Sequence, residues 1–150
     1  MAASFAASAN TSPSRGQVAA EIGEWVRAHT SADDTILVWG VDAGIYVAAE
    51  REPAGRFPYD LPLVTSGYAT EGLISDWLAE LADAPPRLIV DSEAASGYWA
   101  EKDDFLRPPP PGTAGGRDLD LLGPFREWAG DNYVLAVEID GRKVYERADR

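Results

Sequence analysis

Val18, Ile22, Trp25 and Val26 recur at the spacing of one helical face, directly behind Ser14 and Gln17. Ser14 and Gln17 have the spacing of a capping box, so the pattern predicts a helix over 15–30. Ala32, Asp33 and Asp34 make a turn, and Ile36, Leu37, Val38 and Trp39 follow as an unbroken apolar run. A short run without alternation is the mark of a strand buried on both faces. Gly40, Val41 and Asp42 end it, and residues 43–50 suit a short helix with Ile45, Tyr46 and Ala49 inward. Pro53, Gly55, Pro58 and Pro62 then break regular structure, which predicts a loop over 52–67 with at most a brief edge strand.

Thr70 is placed to cap a second long helix over 70–83, whose inner face is Leu73, Ile74, Trp77, Leu78 and Leu81. Pro85 and Pro86 stop it, and residues 87–91 read as another buried strand. Residues 92–117 hold a proline run at 108–111 and Gly112, Gly115 and Gly116, and are too long for a plain connection. They read as a lid or wrapping arm. Leu121, Leu122, Phe125 and Trp128 mark a third main helix, with Pro124 acceptable only in its first turn. Two final strands, 133–139 and 142–147, flank Asp140-Gly141, a two-residue hairpin signal. Strands alternating with helices predict an α/β fold: a compact three-layer sandwich with a mostly parallel sheet ending in an antiparallel C-terminal hairpin. Residues 1–13 read as a flexible leader, or the stub of a longer chain, and 14–150 as one domain.

Composition narrows the function. The 150 residues carry 13 Lys and Arg against 25 Asp and Glu, a net charge of −12. No basic stretch offsets phosphate repulsion, so nucleic acid and anionic lipid are poor partners. Cysteine is absent, which excludes disulfides, thiolate metal sites and a cysteine nucleophile. His29 is the single histidine, so a histidine-based triad or a multi-histidine metal site is excluded. No metal or cofactor is expected. No apolar run reaches the roughly 20 residues that span a bilayer, so the chain itself is not expected to enter a membrane.

Ligands of open parallel sheets favour the crevice at the carboxyl ends of the strands. Asp42 follows the first strand there, and Asp91 and Glu93 follow the second. Converging carboxylates can hold a cation, bind sugar hydroxyls or divide acid and base roles. Their plainer role is to cap a helix or face water. Gly40 to Gly44 occupies the place of a phosphate loop, but lacks its full glycine pattern and its lysine. Arg51 and Arg56 can grip an anion bidentately, or pin their proline-rich loop to the acidic body through internal ion pairs. Among the aromatics, Trp25, Trp77 and Trp128 fall on apolar helix faces and read as core, while Tyr98 and Trp99 are candidates for stacking on a ligand.

The stretch Asp33-Asp34-Thr35-Ile36-Leu37-Val38-Trp39-Gly40, followed by Tyr46, Arg51, Pro53, Arg56 and Phe57, resembles a family mark. It is similar to the segment opening the soluble C-terminal domain of actinobacterial GT-C, mannosyltransferase-like membrane glycosyltransferases that use lipid-linked sugars. The run from Pro85 to Val90 and the end from Asn132 to Arg147 fit the same pattern. Before the first arginine that family carries glycine, where this chain has Glu50. The resemblance covers about 130 residues and implies an extracytoplasmic domain whose parent keeps its catalytic acid in the membrane part. It implies no catalytic residue here. The resulting expectation is a non-catalytic accessory domain, with a glycan or glycosyl acceptor and the parent's membrane part as partners. Two alternatives stay open: a small hydrolase or transferase using Asp42, Asp91 and Glu93, and a protein-interaction module using Tyr98, Trp99 and the proline arm.

Overall fold

A computed structural model describes residues 12–65, 67–92 and 120–149. Five helices, α1 (Arg15–His29), α2 (Gly44–Ala49), α3 (Leu61–Val64), α4 (Glu71–Asp83) and α5 (Gly123–Asn132), surround four strands. The strands are β1 (Ile36–Trp39), β2 (Leu88–Asp91), β3 (Tyr133–Ile139) and β4 (Arg142–Arg147), and a 3₁₀ turn (Asp120–Leu122) precedes α5. Among the described residues no helix is long and apolar enough to cross a membrane.

The local signals act as expected. Ser14 Oγ accepts from the Gln17 amide at 3.2 Å, and Gln17 Oε1 accepts from the Ser14 amide at 2.7 Å, closing the capping box of α1. Thr70 Oγ1 accepts from the Leu73 amide at 3.1 Å and starts α4. Asp140 (φ 47°) and Gly141 (φ 79°) both take positive φ, as a tight hairpin turn requires. The loop over 52–67 departs from expectation: α3 forms inside it, with proline in its first turn and Thr65 Oγ1 donating to the Leu61 carbonyl.

The sheet has the order β1-β2-β4-β3, and only the β1–β2 pairing is parallel. β4 pairs antiparallel with both β2 and β3, so the expected mostly parallel sheet is corrected to a mixed one. The reason is that the terminal hairpin inserts its second strand beside β2 instead of standing at the edge as an appendix. Short apolar runs do not encode which neighbour a strand chooses.

Alternation along each strand divides the core in two. Ile36, Val38, Leu88, Val90 and Val144 meet Val18, Ile22 and Val26 of α1 and Ile45 and Ala49 of α2. Leu37, Trp39, Ile89 and Tyr145 meet Leu63 and Val64 of α3, Ile74, Trp77 and Leu81 of α4, and Phe125 and Ala129 of α5. In the second cluster the Trp39 and Phe125 rings lie 5.2 Å apart and Trp77 and Phe125 4.8 Å apart. Each such side chain contributes about 1.5–3 kcal/mol by leaving water, and aromatic geometry adds a little more. Trp77 is fully buried in the core as its helical spacing predicts, while Trp25 and Trp128, also read as core, are only partly buried against the two clusters.

On the first side α1 and α2 cross without room for a side chain. A Cβ on Gly23 would stand 2.5 Å from the backbone carbonyl carbon of Ala48. Glycine is there to let two backbones touch.

Candidate functional site at the carboxyl end of the parallel pair

Arg51 and Arg56 serve the fold. Arg51 donates from Nε to Thr30 Oγ1 at 2.9 Å and from Nη2 to the Thr30 carbonyl at 3.1 Å. Its Nη1 donates to the carbonyls of Ala49 and Glu50 at 3.3 and 3.0 Å. One guanidinium thus satisfies carbonyls at the C-terminal ends of both α1 and α2, where helix dipoles favour a cation. Arg56 donates from its backbone amide, Nε and Nη2 to the Glu80 carboxylate on α4. That hydrogen-bonded guanidinium holds the Glu80 carboxyl below its usual range. The internal role of both arginines therefore holds, and neither side chain is aimed at a ligand.

The same loop closes the outer edge of β1. The Ile36 amide donates to the Glu52 carbonyl at 3.1 Å, and the Ala54 amide donates to the Ile36 carbonyl at 2.9 Å. The Val38 amide donates to Tyr46 Oη at 2.9 Å. Burial pushes the Tyr46 phenol up to about 12. Glu50, ending α2, is left-handed at φ 52°, ψ 44°. That is the position at which the resembled family carries glycine.

The expected carboxylates divide. Asp91 is 1% exposed at the end of β2, and alternation puts it on the side of Ile89, with α4 and α5. Asp42 begins the turn into α2: its carbonyl accepts from the Ile45 amide, and its Oδ1 would lie 3.3 Å from a Cβ on Gly44. A Cβ on Gly44 would also touch Ala19 of α1, so Asp42 belongs to the α1–α2 side. Asp42 and Asp91 are therefore not brought together on one face. Glu93, Tyr98 and Trp99, like the proline arm, lie outside the described residues. His29 is exposed at the end of α1, stacked 3.9 Å from Trp25 with Nδ1 at the Trp25 carbonyl.

Other residues do gather at this end. Asp60, 1% exposed, starts α3, and its amide donates to the Gly40 carbonyl just past β1. Asp91 is the register partner of Trp39, and Ser92 donates from both its amide and its Oγ to the Trp39 carbonyl. Phe125 stacks on Trp39, and its neighbour Arg126 is buried at 8% exposure. Two buried acids and a buried arginine thus lie on elements anchored around the carboxyl end of β1 and β2. The segments that follow β1 and lead into α4 also carry the exposed apolar residues Val41, Tyr59, Leu61 and Tyr68. The first two turns of α4 and the approach to α5 frame a cleft of about 350 Å³, lined by Glu71, Ile74, Ser75, Leu78, Leu121 and Pro124.

Asp60 and Arg126 escape sequence reasoning because a loop aspartate and a helical arginine look like surface residues. The one available signal was position: Arg126 follows Phe125 on the inner face, and Asp60 precedes an apolar LPLV run. Among the described residues no three histidine, aspartate or glutamate side chains gather as a metal site would require. The geometry suits reversible binding: a mainly apolar cleft with a few polar groups. No family model, curated protein or solved structure matches this chain.

Proposed function

We propose that this chain is a three-layer α/β accessory domain that binds a neutral glycan or glycosyl acceptor at the carboxyl end of its parallel strands. In this reading it works on the extracytoplasmic face of a membrane, beside the membrane part of a glycosyltransferase that uses lipid-linked sugar. The observation that carries the reading is the cleft between α4 and α5, whose lining begins at Glu71, three positions along the chain from the exposed Tyr68. Its volume of about 350 Å³ is at the small end for ligand clefts and suits one or two sugar rings. A pyranose offers an apolar face to Tyr59, Tyr68, Leu78 or Leu121, and hydroxyls to Glu71 and Ser75. Net charge of −12 makes a neutral ligand better than a phosphate. The left-handed Glu50 adds support to the resemblance, because the family's glycine at that place has a backbone reason.

The test is a titration of the isotopically labelled chain with short neutral oligosaccharides of mannose, galactose and arabinose, followed by amide NMR. One of them should shift the amides of Tyr68, Ser75 and Leu121 together. Tyr68→Ala should weaken that binding roughly two- to ten-fold, the worth of about 0.5–1.5 kcal/mol of stacking. Millimolar sugar that leaves all three amides unmoved sinks the reading.

A further inference from the structure

Among the described residues β3 is the outer edge strand of the sheet, with no strand beyond it. Its inner side pairs with β4, and among the described residues no backbone hydrogen bond runs to its outer side. It carries apolar residues that the helices fail to cover on either face. Val134 stands in register with Glu146 and, through it, with Leu88, which puts it on the α1 side; it is 56% exposed. Leu135 stands in register with Tyr145 and Ile89, on the α5 side, and is 54% exposed. The middle of β3 thus lies beyond the cover of the flanking helices, while its ends, Tyr133 and Ile139, are buried in the two cores. A lone exposed leucine needs no explanation, but adjacent apolar residues on both faces of an open edge fit one more strand.

Charge selects the occupant. Glu138 on β3 and Asp140 at its turn are exposed, as are Glu21 and Glu24 on the facing α1 and Asp131 just before the strand. Glu21 and Asp140 come close enough to share a hydrogen bond, which raises the Glu21 carboxyl above its usual range. Arg142 turns its guanidinium to the Asp140 carbonyl, and Lys143 is the cross-strand partner of Glu138. The acids still outnumber these two cations along the edge. A second copy of this chain is the wrong partner: two-fold antiparallel pairing centred on Ala136 would set Asp140 opposite Asn132, next to Asp131, at both ends. That register crowds two acids at each end of the pairing, and crowded like charges repel. The irregularity between Leu135 and Val137 also interrupts a long flat self-pairing surface.

We propose that the β3 edge takes up an extended segment of a partner protein, adding a fifth strand, with apolar side chains at successive positions along one half and basic side chains along the other. Its apolar residues cover Val134 and Leu135, one on each face, and its basic residues meet Glu138, Asp140 and Glu21. Backbone hydrogen bonds supply affinity, and the order of the two halves supplies selectivity. This surface is separate from the proposed glycan cleft, and neither stands or falls with the other.

The probe is a short lysine–valine peptide, valine-rich in one half and lysine-rich in the other, labelled for fluorescence anisotropy and added to the full chain. Controls are a glutamate–valine peptide of equal length and a lysine–valine peptide with a central proline. The lysine–valine peptide should bind at least ten-fold tighter than either control and slow amide exchange across residues 134–138. A Val134→Lys, Leu135→Lys double variant, altering only exposed positions, should lose that binding while its circular dichroism stays unchanged. Equal binding of the acidic peptide overturns the proposal, as does protection that maps away from β3 or the absence of binding at millimolar peptide. A concentration-dependent dimer through β3 in sedimentation, with the peptide excluded, overturns it in favour of a second copy.

Discussion

The two edges of the sheet are treated in opposite ways. At β1, every outward-facing backbone group described above has a partner: Ile36 bonds twice to the 52–54 segment, and the Val38 amide reaches a tyrosine hydroxyl. At β3, Val134 and Leu135 are about half exposed between the buried ends Tyr133 and Ile139. Edge strands are hazards that proteins close unless the opening has a use. The chain spends Tyr46, Pro53, Ala54 and two arginines on closing one edge, while among the described residues the other carries a backbone irregularity and flanking acids such as Glu138. The closed edge frames the carboxyl end where the candidate ligand cleft lies. The open edge faces elsewhere, which is why we assign it a different kind of partner.

The largest expected difference between the edges comes from one substitution made twice. Leu37→Ala removes a side chain that is 2% exposed in β1 and should cost about 2–5 kcal/mol in urea unfolding. Leu135→Ala on β3 should stay within about 0.5 kcal/mol. Equal losses would mean that β3 is covered in solution and that the contrast is false.

Tyr46→Phe comes next. It deletes the acceptor for the Val38 amide, leaving a buried N–H unmet, and should cost about 1–3 kcal/mol with faster exchange at Val38. The same hydroxyl gives a pH signature. Its folded pKa is raised, so the stability it confers is complete below about 10, the ordinary value, and is lost as pH rises through about 12. Alkaline unfolding of the parent chain should therefore fall in that window, and the Phe variant should lack this contribution. A profile identical in both proteins would separate Tyr46 from the edge.

The smallest effect has the opposite sign. Glu50→Gly relieves a left-handed side-chain-bearing residue next to Arg51 and should stabilise by about 0.5–1 kcal/mol in thermal unfolding. Its exposed contact with Arg27, 3.7 Å away, is worth little by comparison. A lower melting temperature for Glu50→Gly would show that the ion pair outweighs the backbone.

What was legible in the sequence is what local chemistry fixes. The Ser14–Gln17 box, the Thr70 cap, the apolar runs of β1 and β2 and the Asp140-Gly141 turn each carry their own signal, and each lies where its residues predict. Less legible was anything decided at long range. Nothing in Arg142–Arg147 tells that it inserts beside β2, about 50 residues earlier in the chain, and this is what changed a parallel sheet into a mixed one. The candidate site suffered likewise. Asp42 and Asp91 occupy equivalent places in the sequence, yet the turn after Gly40 and the pleat of β2 send them to opposite sides. Asp60 lies in the stretch read as a loop, and α3 carries it inward.

The place of β4 has a consequence for synthesis. The strand at the heart of the sheet is the last of the described elements to leave the ribosome. Until residue 147 has emerged, β2 offers one bare edge and β3 has no partner at all. Chain growth of roughly 5–20 residues per second makes that wait a matter of seconds. During it, two helices can dock on a two-stranded parallel pair, but the second half of the fold must arrive as a hairpin. The acidic surface that discourages self-pairing in the finished protein would then also guard the nascent chain against its neighbours on the same message.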